Sequence, residues 1–381
     1  MIIGFDAKRA AQNRTGLGNY SRFVIRLLSQ QHPENEYYLY VPKQDKMPYI
    51  TEIPTLSKVK LHFPLSSLWR RFSSLWRVWG ITEDIKNDDV NIFHGLSNEL
   101  PLNITRAKCK TVVTVHDLIF LHCPQYYHLV DRWIYRYKFR KSCRQADKII
   151  AVSEFTKKEI IRYFDITESK IEVVYQGCDP VFGEPVSKTK LEKIMVEYNL
   201  PSKFLLYVGS IEERKNLMLV AKALKVIRDD NMMEYLPKVV VVGKGTSYLE
   251  QVKSYINDND LSDCFFFFHN VSFHDLPSFY KLATAFVYPS RIEGFGIPLL
   301  EALTSGLPAI GCSGSCLEEA GGPGSVYVKP DDAQSMAKAV FSVFNDEKLR
   351  DDMIVQGLKY AKDNFSDEKL SDDLMKVYEM L

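Results

Sequence analysis

Cysteine is sparse and unpatterned in this chain: seven residues, the nearest two at Cys312 and Cys316, with no C-x-x-C. That excludes a disulfide framework and a thiolate zinc site, and points to a reducing cytosol. Nineteen glycines and seventeen prolines are too few for collagen or low-complexity sequence. Long apolar runs are missing too. The longest uncharged stretch, 302–317, is interrupted by Gly306, Pro308, Gly311 and Gly314 and is too short to span a bilayer. The opening MIIGFDAKRA reaches an acid at Asp6, unlike a secretory signal. A net charge of +1 gives no reason to expect a nucleic-acid partner.

What is present is an ordinary globular composition, 46% hydrophobic and 25% charged, over 381 residues, enough for two domains. The balanced charge hides an asymmetry. Residues 1–183 carry 27 Lys/Arg against 19 Asp/Glu, a net +8, and the remainder is −7. This is either chance spread over solvated side chains or a division of labour between the halves.

Short continuous apolar runs alternate with amphipathic helical stretches. Runs at 2–5, 37–41, 59–63, 90–93, 111–115, 148–152 and 171–175 read as strands of a first sheet. Those at 204–208, 239–242, 264–268, 285–288, 308–310 and 325–328 read as a second. Helical patterns at 20–29, 133–144, 154–164, 217–229 and 333–344 lie between them. Such alternation predicts βαβ units on parallel sheets, an α/β chain of two doubly wound Rossmann-like domains facing across a cleft. The pattern weakens at 184–202, which is expected to link a domain over 1–183 to one over 203–365. The charged stretch 366–381 is expected to form a terminal helix.

In doubly wound sheets, ligands bind beyond the carboxyl ends of the strands, so the residues just after each strand matter most. After the first strand, RTGLGNYSR holds Gly16 and Gly18, with a helix expected from Asn19. The glycines either let backbone approach an anion or form a tight turn. After TVVTV come His116 and Asp117, a hydroxyl-binding or proton-transfer pair, or a braced turn. In the rear half FLLYV leads through Gly209 into SIEERKNL. Arg214 and Lys215 then crowd the start of a helix capped by Asn216, where cations are unfavourable unless an anion binds among them. The densest pattern is YPSRIEGFGIPLLEALTSGLP, with Glu293, Gly294, Phe295 and Gly296 in a loop, and Pro298 at the first helical position. The amides of Leu299 and Leu300 are expected to be free for phosphate oxygens, with Glu293 and Glu301 flanking one ligand and accepting its hydroxyls.

E-G-F-G-I-P-x-x-E, from Glu293 to Glu301, resembles the E-x7-E motif of the retaining nucleotide-sugar glycosyltransferases of family 4, which have the GT-B fold. GFDAKR, RTGLGNYSR, TVHD, ADKIIAVSEFTKKEI, VVYQGCD, YVGSIEERKNL and VGKG extend the resemblance over nearly the whole chain. The opening is most similar to bacterial mannosyl- and rhamnosyl-transferases of polysaccharide assembly. The resemblance implies a retaining hexosyltransferase using a nucleotide diphosphate sugar, GDP-mannose by family likeness. Its acceptor would be a glycan or a polyprenyl-diphosphate-linked sugar, and no metal or other cofactor is expected.

It also implies residue roles. Glu293, with the Gly294–Gly296 amides, would contact the donor sugar, and Glu301 the ribose. Arg214 and Lys215 would clamp the diphosphate, Gly16 would approach the phosphates, and His116 would bind the transferred sugar. Gly243, Lys244, Asn270 and Val271 would hold the base, and the end helix would cross back to the front domain. Where members often show G-x-P-V, this chain has GLPAIGCSGSC, a loop expected to be less rigid. No Asp-x-Asp follows a strand, and Asp331–Asp332 is expected at a helix start.

The segment 66–80, SSLWRRFSSLWRVWG, places Leu68, Trp69, Phe72, Leu75, Trp76 and Trp79 at helical spacing. Such a stripe either packs into the core or lies on an anionic membrane. The second reading accords with the basic front half and with a cytoplasmic protein peripheral on the inner membrane face. Rival functions of similar architecture are a sugar-nucleotide epimerase and a non-catalytic sugar-nucleotide-binding protein. A dehydrogenase is disfavoured because RTGLGNY lacks the third glycine of its fingerprint.

Overall fold

Thirteen parallel strands form in two sheets among the described residues of the computed structural model, 1–53 and 58–381. The first sheet contains β1 (Ile2–Asp6), β2 (Glu36–Tyr40), β3 (Val59–His62), β4 (Ile92–Gly95), β5 (Lys110–Val115), β6 (Lys148–Ala151) and β7 (Ile171–Val173). Its order is β3-β2-β1-β4-β5-β6-β7. The second contains β8 (Phe204–Val208), β9 (Lys238–Val242), β10 (Phe265–Phe268), β11 (Ala285–Tyr288), β12 (Ala309–Cys312) and β13 (Val326–Val328), ordered β10-β9-β8-β11-β12-β13. Each sheet therefore reverses direction once, between β1 and β4 and between β8 and β11. Helices cover both faces of central strands such as β4 and β11, which are buried throughout, whereas the edge strand β3 is partly exposed.

The chain divides into two units, Met1–Gly177 with Ser366–Leu381, and Cys178–Phe365. The division lies upstream of the expected boundary at 183, and 184–202 is not a free linker. Phe182 packs edge-on against Phe273 and Tyr280. Helix Lys188–Glu197 is tied down by Lys190, whose ammonium donates to the His274 carbonyl at 2.7 Å, and by Tyr198 stacking edge-on against Phe279. These contacts all lie within the second unit. The terminal helix Asp367–Glu379 belongs to the first: Tyr378 is buried with its hydroxyl 2.7 Å from His94 Nδ1, and Asp367 pairs with Arg26 at 3.1 Å.

Two local expectations change. The first long helix spans Gly16–Gln31, not 20–29, so Gly16 and Gly18 sit in its first turn. The stripe at 66–80 is neither one core helix nor one surface helix. It breaks into Ser67–Arg71, Ser73–Leu75 and a π-helical turn Trp76–Gly80, and this change of period scatters its aromatics. Trp76 is fully buried and donates to Asp84 at 2.6 Å, while Leu68, Phe72, Leu75 and Trp79 are exposed.

Candidate active site

The chemistry of the second unit gathers where its sheet reverses. β8 and β11 pair in parallel, Ala285 beside Leu205, so the loops leaving their carboxyl ends run side by side. The Arg291 amide donates to the Arg214 carbonyl at 2.9 Å, joining the two loops. Asn216 stands at the N-cap of the helix Leu217–Asp229 but makes no side-chain cap bond. It adopts a left-handed backbone (φ 58°) and donates its side-chain amide to the carbonyls of Pro289 and Pro330. The residue at the helix start thus also staples three loops together.

This juxtaposition places Arg214 and Lys215 against Glu293. Arg214 Nη1 lies 2.8 Å from Glu293 Oε2 and donates to the Ile292 carbonyl, and Nη2 lies 2.7 Å from Glu212 Oε1. Lys215 Nζ lies 3.4 Å from Glu293 Oε1 and donates to the Tyr288 hydroxyl at 2.8 Å. Tyr288, the last residue of β11, donates in turn to Glu293 Oε1 at 2.9 Å, as does Ser290 at 2.8 Å. Burial alone would raise the Glu293 carboxyl, but Lys215 and Arg214 outweigh it and hold the group at about 2. The cations expected to clamp a diphosphate are thus held together by a permanently charged carboxylate.

Glu301 lies one turn inside the helix Ile297–Thr304 and accepts a hydrogen bond from Tyr280 at 2.7 Å. Burial raises its carboxyl to about 7, opposed by that hydrogen bond and by the charge of Lys215. The two acids of the motif therefore differ: one is locked in its charged form, and the other titrates near neutrality.

The helix start departs from expectation. Pro298 is the second helical residue, and Gly296 precedes the helix as its N-cap. The Leu299 and Leu300 amides are not free, because both donate to the Gly296 carbonyl, at 2.9 and 3.4 Å. The cysteine-containing loop is anchored to the motif it follows. Cys316 is fully buried with its sulfur 3.0 Å from the Glu293 carbonyl and 3.1 Å from that of Phe295, and Phe295 packs against Phe365.

Gly209 and Gly243 follow β8 and β9 with φ of +148° and +154°, and a Cβ on Gly243 would stand 1.9 Å from the Gly209 carbonyl oxygen. Only glycine permits this crossing of backbones, which removes side chains from the carboxyl edge of the sheet. Lys244 and Asn270 are exposed beyond it, and Val271 is half-buried. Asp332 caps the helix Ala333–Asn345, accepting from the Ser335 amide, and Asp331 pairs with Arg291.

The remaining candidates lie in the first unit. Gly16 is exposed, with open space around a virtual Cβ. Gly18 is buried, and its Cβ would stand 1.8 Å from the Asn13 carbonyl oxygen. Its close approach is to its own chain. His116 lies just past the end of β5. It is buried edge-on to Tyr20, with Nε2–H donating to the Leu96 carbonyl at 2.9 Å and Nδ1 accepting from Gln176 at 3.0 Å. Burial depresses it to about 4, so it is neutral at pH 7 with both nitrogens engaged.

Sequence reasoning missed Glu212, Tyr280, Tyr288 and Ser290. Tyr-Pro-Ser at the end of a strand was a usable signal, whereas Glu212 and Tyr280 carry none without the fold. It also missed the buried group where the first sheet reverses, in which Arg77 Nε donates to Asp6 at 2.7 Å and Nη1 to Glu99 at 2.9 Å.

Against this geometry, residues 16–182 match the family described as Glycosyltransferase Family 4, and residues 191–360 match Glycosyl transferases group 1. The chain belongs to the family 4 glycosyltransferases. This glycosyltransferase is 28% identical to the O-antigen chain mannosyltransferase B of Escherichia coli over the full length of both chains. It is 29% identical to the O-antigen chain mannosyltransferase RfbU of Salmonella typhimurium over 61% of this chain and 60% of that one. Its fold, GT-B, is shared with the sucrose-phosphate synthase of Thermosynechococcus elongatus (TM-score 0.76, 18% identity, 100% and 98% of the chains covered). It is shared also with Anabaena Alr3699/HepE in complex with UDP (TM-score 0.75, 14% identity, all of both chains covered). The transferase thus carries its cation pair and both motif acids on one of its two Rossmann-like units.

Proposed function

We propose that this glycosyltransferase moves mannose from GDP-mannose, with retained anomeric configuration, to a glycan or polyprenyl-diphosphate-linked acceptor in surface-polysaccharide assembly. It would work in the cytoplasm, at the inner face of the membrane. The observation that carries this reading is the Arg214–Glu293–Lys215 cluster at the carboxyl ends of β8 and β11, on a chain similar throughout to an O-antigen mannosyltransferase. Glu293 aligns both cations. An arriving diphosphate exchanges hydrogen bonds with them, and Glu293 turns to the sugar hydroxyls. Ionised Glu301 accepts the ribose hydroxyls.

In the transfer step the bond between the sugar C1 and the diphosphate oxygen breaks, its electron pair staying on that oxygen. The acceptor hydroxyl bonds to C1 from the same face and gives its proton to the departing diphosphate. Arg214 and Lys215 stabilise the charge that develops, a role a divalent cation fills elsewhere, so chelators leave the rate unchanged. Two preorganised cations in a site shielded from water are worth several kcal/mol of barrier by this principle.

The test is a panel of nucleotide sugars, read by nucleoside diphosphate release and by protection from thermal unfolding. The largest protection and release are expected with GDP-mannose. A UDP-sugar preference overturns the donor assignment. Conversion of the sugar without acceptor would mark an epimerase, and protection without turnover a binding protein.

A further inference from the structure

The helix Leu129–Gln145 in the first unit is apolar on the wrong side. Phe139, Ser142 and Cys143 face the core. At 100° per residue, Leu129, Val130, Trp133, Ile134 and Tyr137 form a stripe on the opposite face. All five are exposed, Trp133 to 80%, Leu129 to 71% and Val130 to 70%. Flanking the stripe at four-residue spacing run Arg132, Arg136, Arg140 and Arg144, with Lys141 beside them. Leu129, Trp133 and Tyr137 line a groove of about 580 Å³ together with these cations. Arg132 Nε and Arg140 Nε lie buried there without a hydrogen-bond partner. Buried donors left unpaired cost about 1–3 kcal/mol each, so they point to an absent anionic partner.

The same unit carries a second exposed apolar group. Leu65, Leu68, Phe72, Leu75 and Trp79 surround the broken helix at 66–80. Leu102 ties the broken helix to the end of the helix Leu129–Gln145: its amide donates to the Val78 carbonyl at 2.9 Å, and its carbonyl accepts from Gln145 at 3.1 Å. Within the described residues, no helix is long and apolar enough to cross a membrane.

We propose that this face, centred on Trp133 and the Arg132–Arg144 row, is where the chain docks on a bilayer containing anionic phospholipid. The side chains Leu129, Trp133 and Tyr137 enter the boundary between headgroups and acyl chains, and the guanidinium groups bind lipid phosphates. A soluble anion would satisfy the cations but leave the apolar stripe wet. A membrane satisfies both. The inference deepens the peripheral-membrane part of the proposed function and is independent of the donor chemistry.

The experiment is flotation of the full chain with phosphatidylcholine vesicles, with or without one quarter phosphatidylglycerol, at low and high salt. The wild-type chain should float with the anionic vesicles, and high salt should release it. Trp133→Ser should lower partitioning at least about tenfold. Arg136→Gln with Arg144→Gln should lower it about 25-fold, roughly fivefold per cation. Unchanged melting temperature and unchanged donor hydrolysis without vesicles would show that these surface variants are folded. No wild-type binding, or equal binding to neutral vesicles, overturns both this inference and the peripheral reading. Wild-type binding that the substitutions leave intact overturns the assigned face alone. A dimer in solution that Trp133→Ser dissolves also overturns it, by making the face a protein interface.

Discussion

Arg214→Ala separates the structural duty of the cation pair from its chemical one. In the wild type, the Glu293 carboxyl sits at about 2 against an unperturbed 4.5, a native preference for the charged form worth about 3 kcal/mol. Because the native value is depressed, this stability is fully present above about pH 4.5 and is lost as the pH falls toward 2. Removing Arg214 strips Glu293 Oε2 of its nearest cation and leaves the Ile292 carbonyl with the Ser290 hydroxyl, at 3.3 Å, as its side-chain donor. Breaking a buried pair costs about 3–5 kcal/mol, and Lys215, still near Oε1, holds the loss to the lower end. For a unit of this size that lowers Tm by about 6–12 °C.

Turnover should fall by more, about 100- to 1000-fold, because the lost contact matters most as charge builds on the leaving group. The double variant Arg214→Ala/Glu293→Gln removes the stranded charge. It should recover more than half of the lost stability while turnover stays low. Thermal melts at pH 7 and initial rates at saturating donor measure the two effects. Near-normal turnover in Arg214→Ala, or stability losses that simply add in the double variant, would refute this account of the cluster.

Other outcomes follow from the same geometry. Glu301, raised to about 7, must ionise to accept ribose hydroxyls, so KM for the donor should fall between pH 6 and 8, and Glu301→Gln should abolish that dependence. Its native form keeps a proton that the unfolded chain releases between pH 4.5 and 7. Wild-type stability therefore declines across that window relative to Glu301→Gln, as melts at pH 5 and pH 8 would show. Gly16→Ala should keep its Tm within about 1–2 °C, since its Cβ meets nothing, whereas Gly18→Ala should lose about 3 kcal/mol or fail to fold. Weaker donor protection in folded Gly16→Ala would support a close approach of the donor to that backbone, and unchanged protection would remove Gly16 from the site.

The strands were legible because each buried strand of a parallel sheet must be apolar along its whole length, and local composition records that directly. The motif at 293–301 was legible because its acids, glycines and proline lie within nine residues. Pairings between distant segments were not. Glu293 and Arg214 are far apart in sequence, and they meet only because β8 and β11 are neighbours. The amides of Leu299 and Leu300 looked available because a helix start usually frees them, but the Gly296 carbonyl takes both. His116 was visible at a strand end, but its partners Leu96 and Gln176, distant in sequence, were not.

By itself, then, the sequence determined the class of fold, the number and position of the strands, and the acid-rich loop that marks the family, since all of these are written in local periodicity and spacing. Strand order, the division of the chain at Gly177, the charge states of Glu293 and Glu301, and the outward aim of Trp133 were decided only by tertiary structure. Each depends on which surfaces exclude water and which charges end up side by side, and no stretch of chain carries that information before it has packed against another.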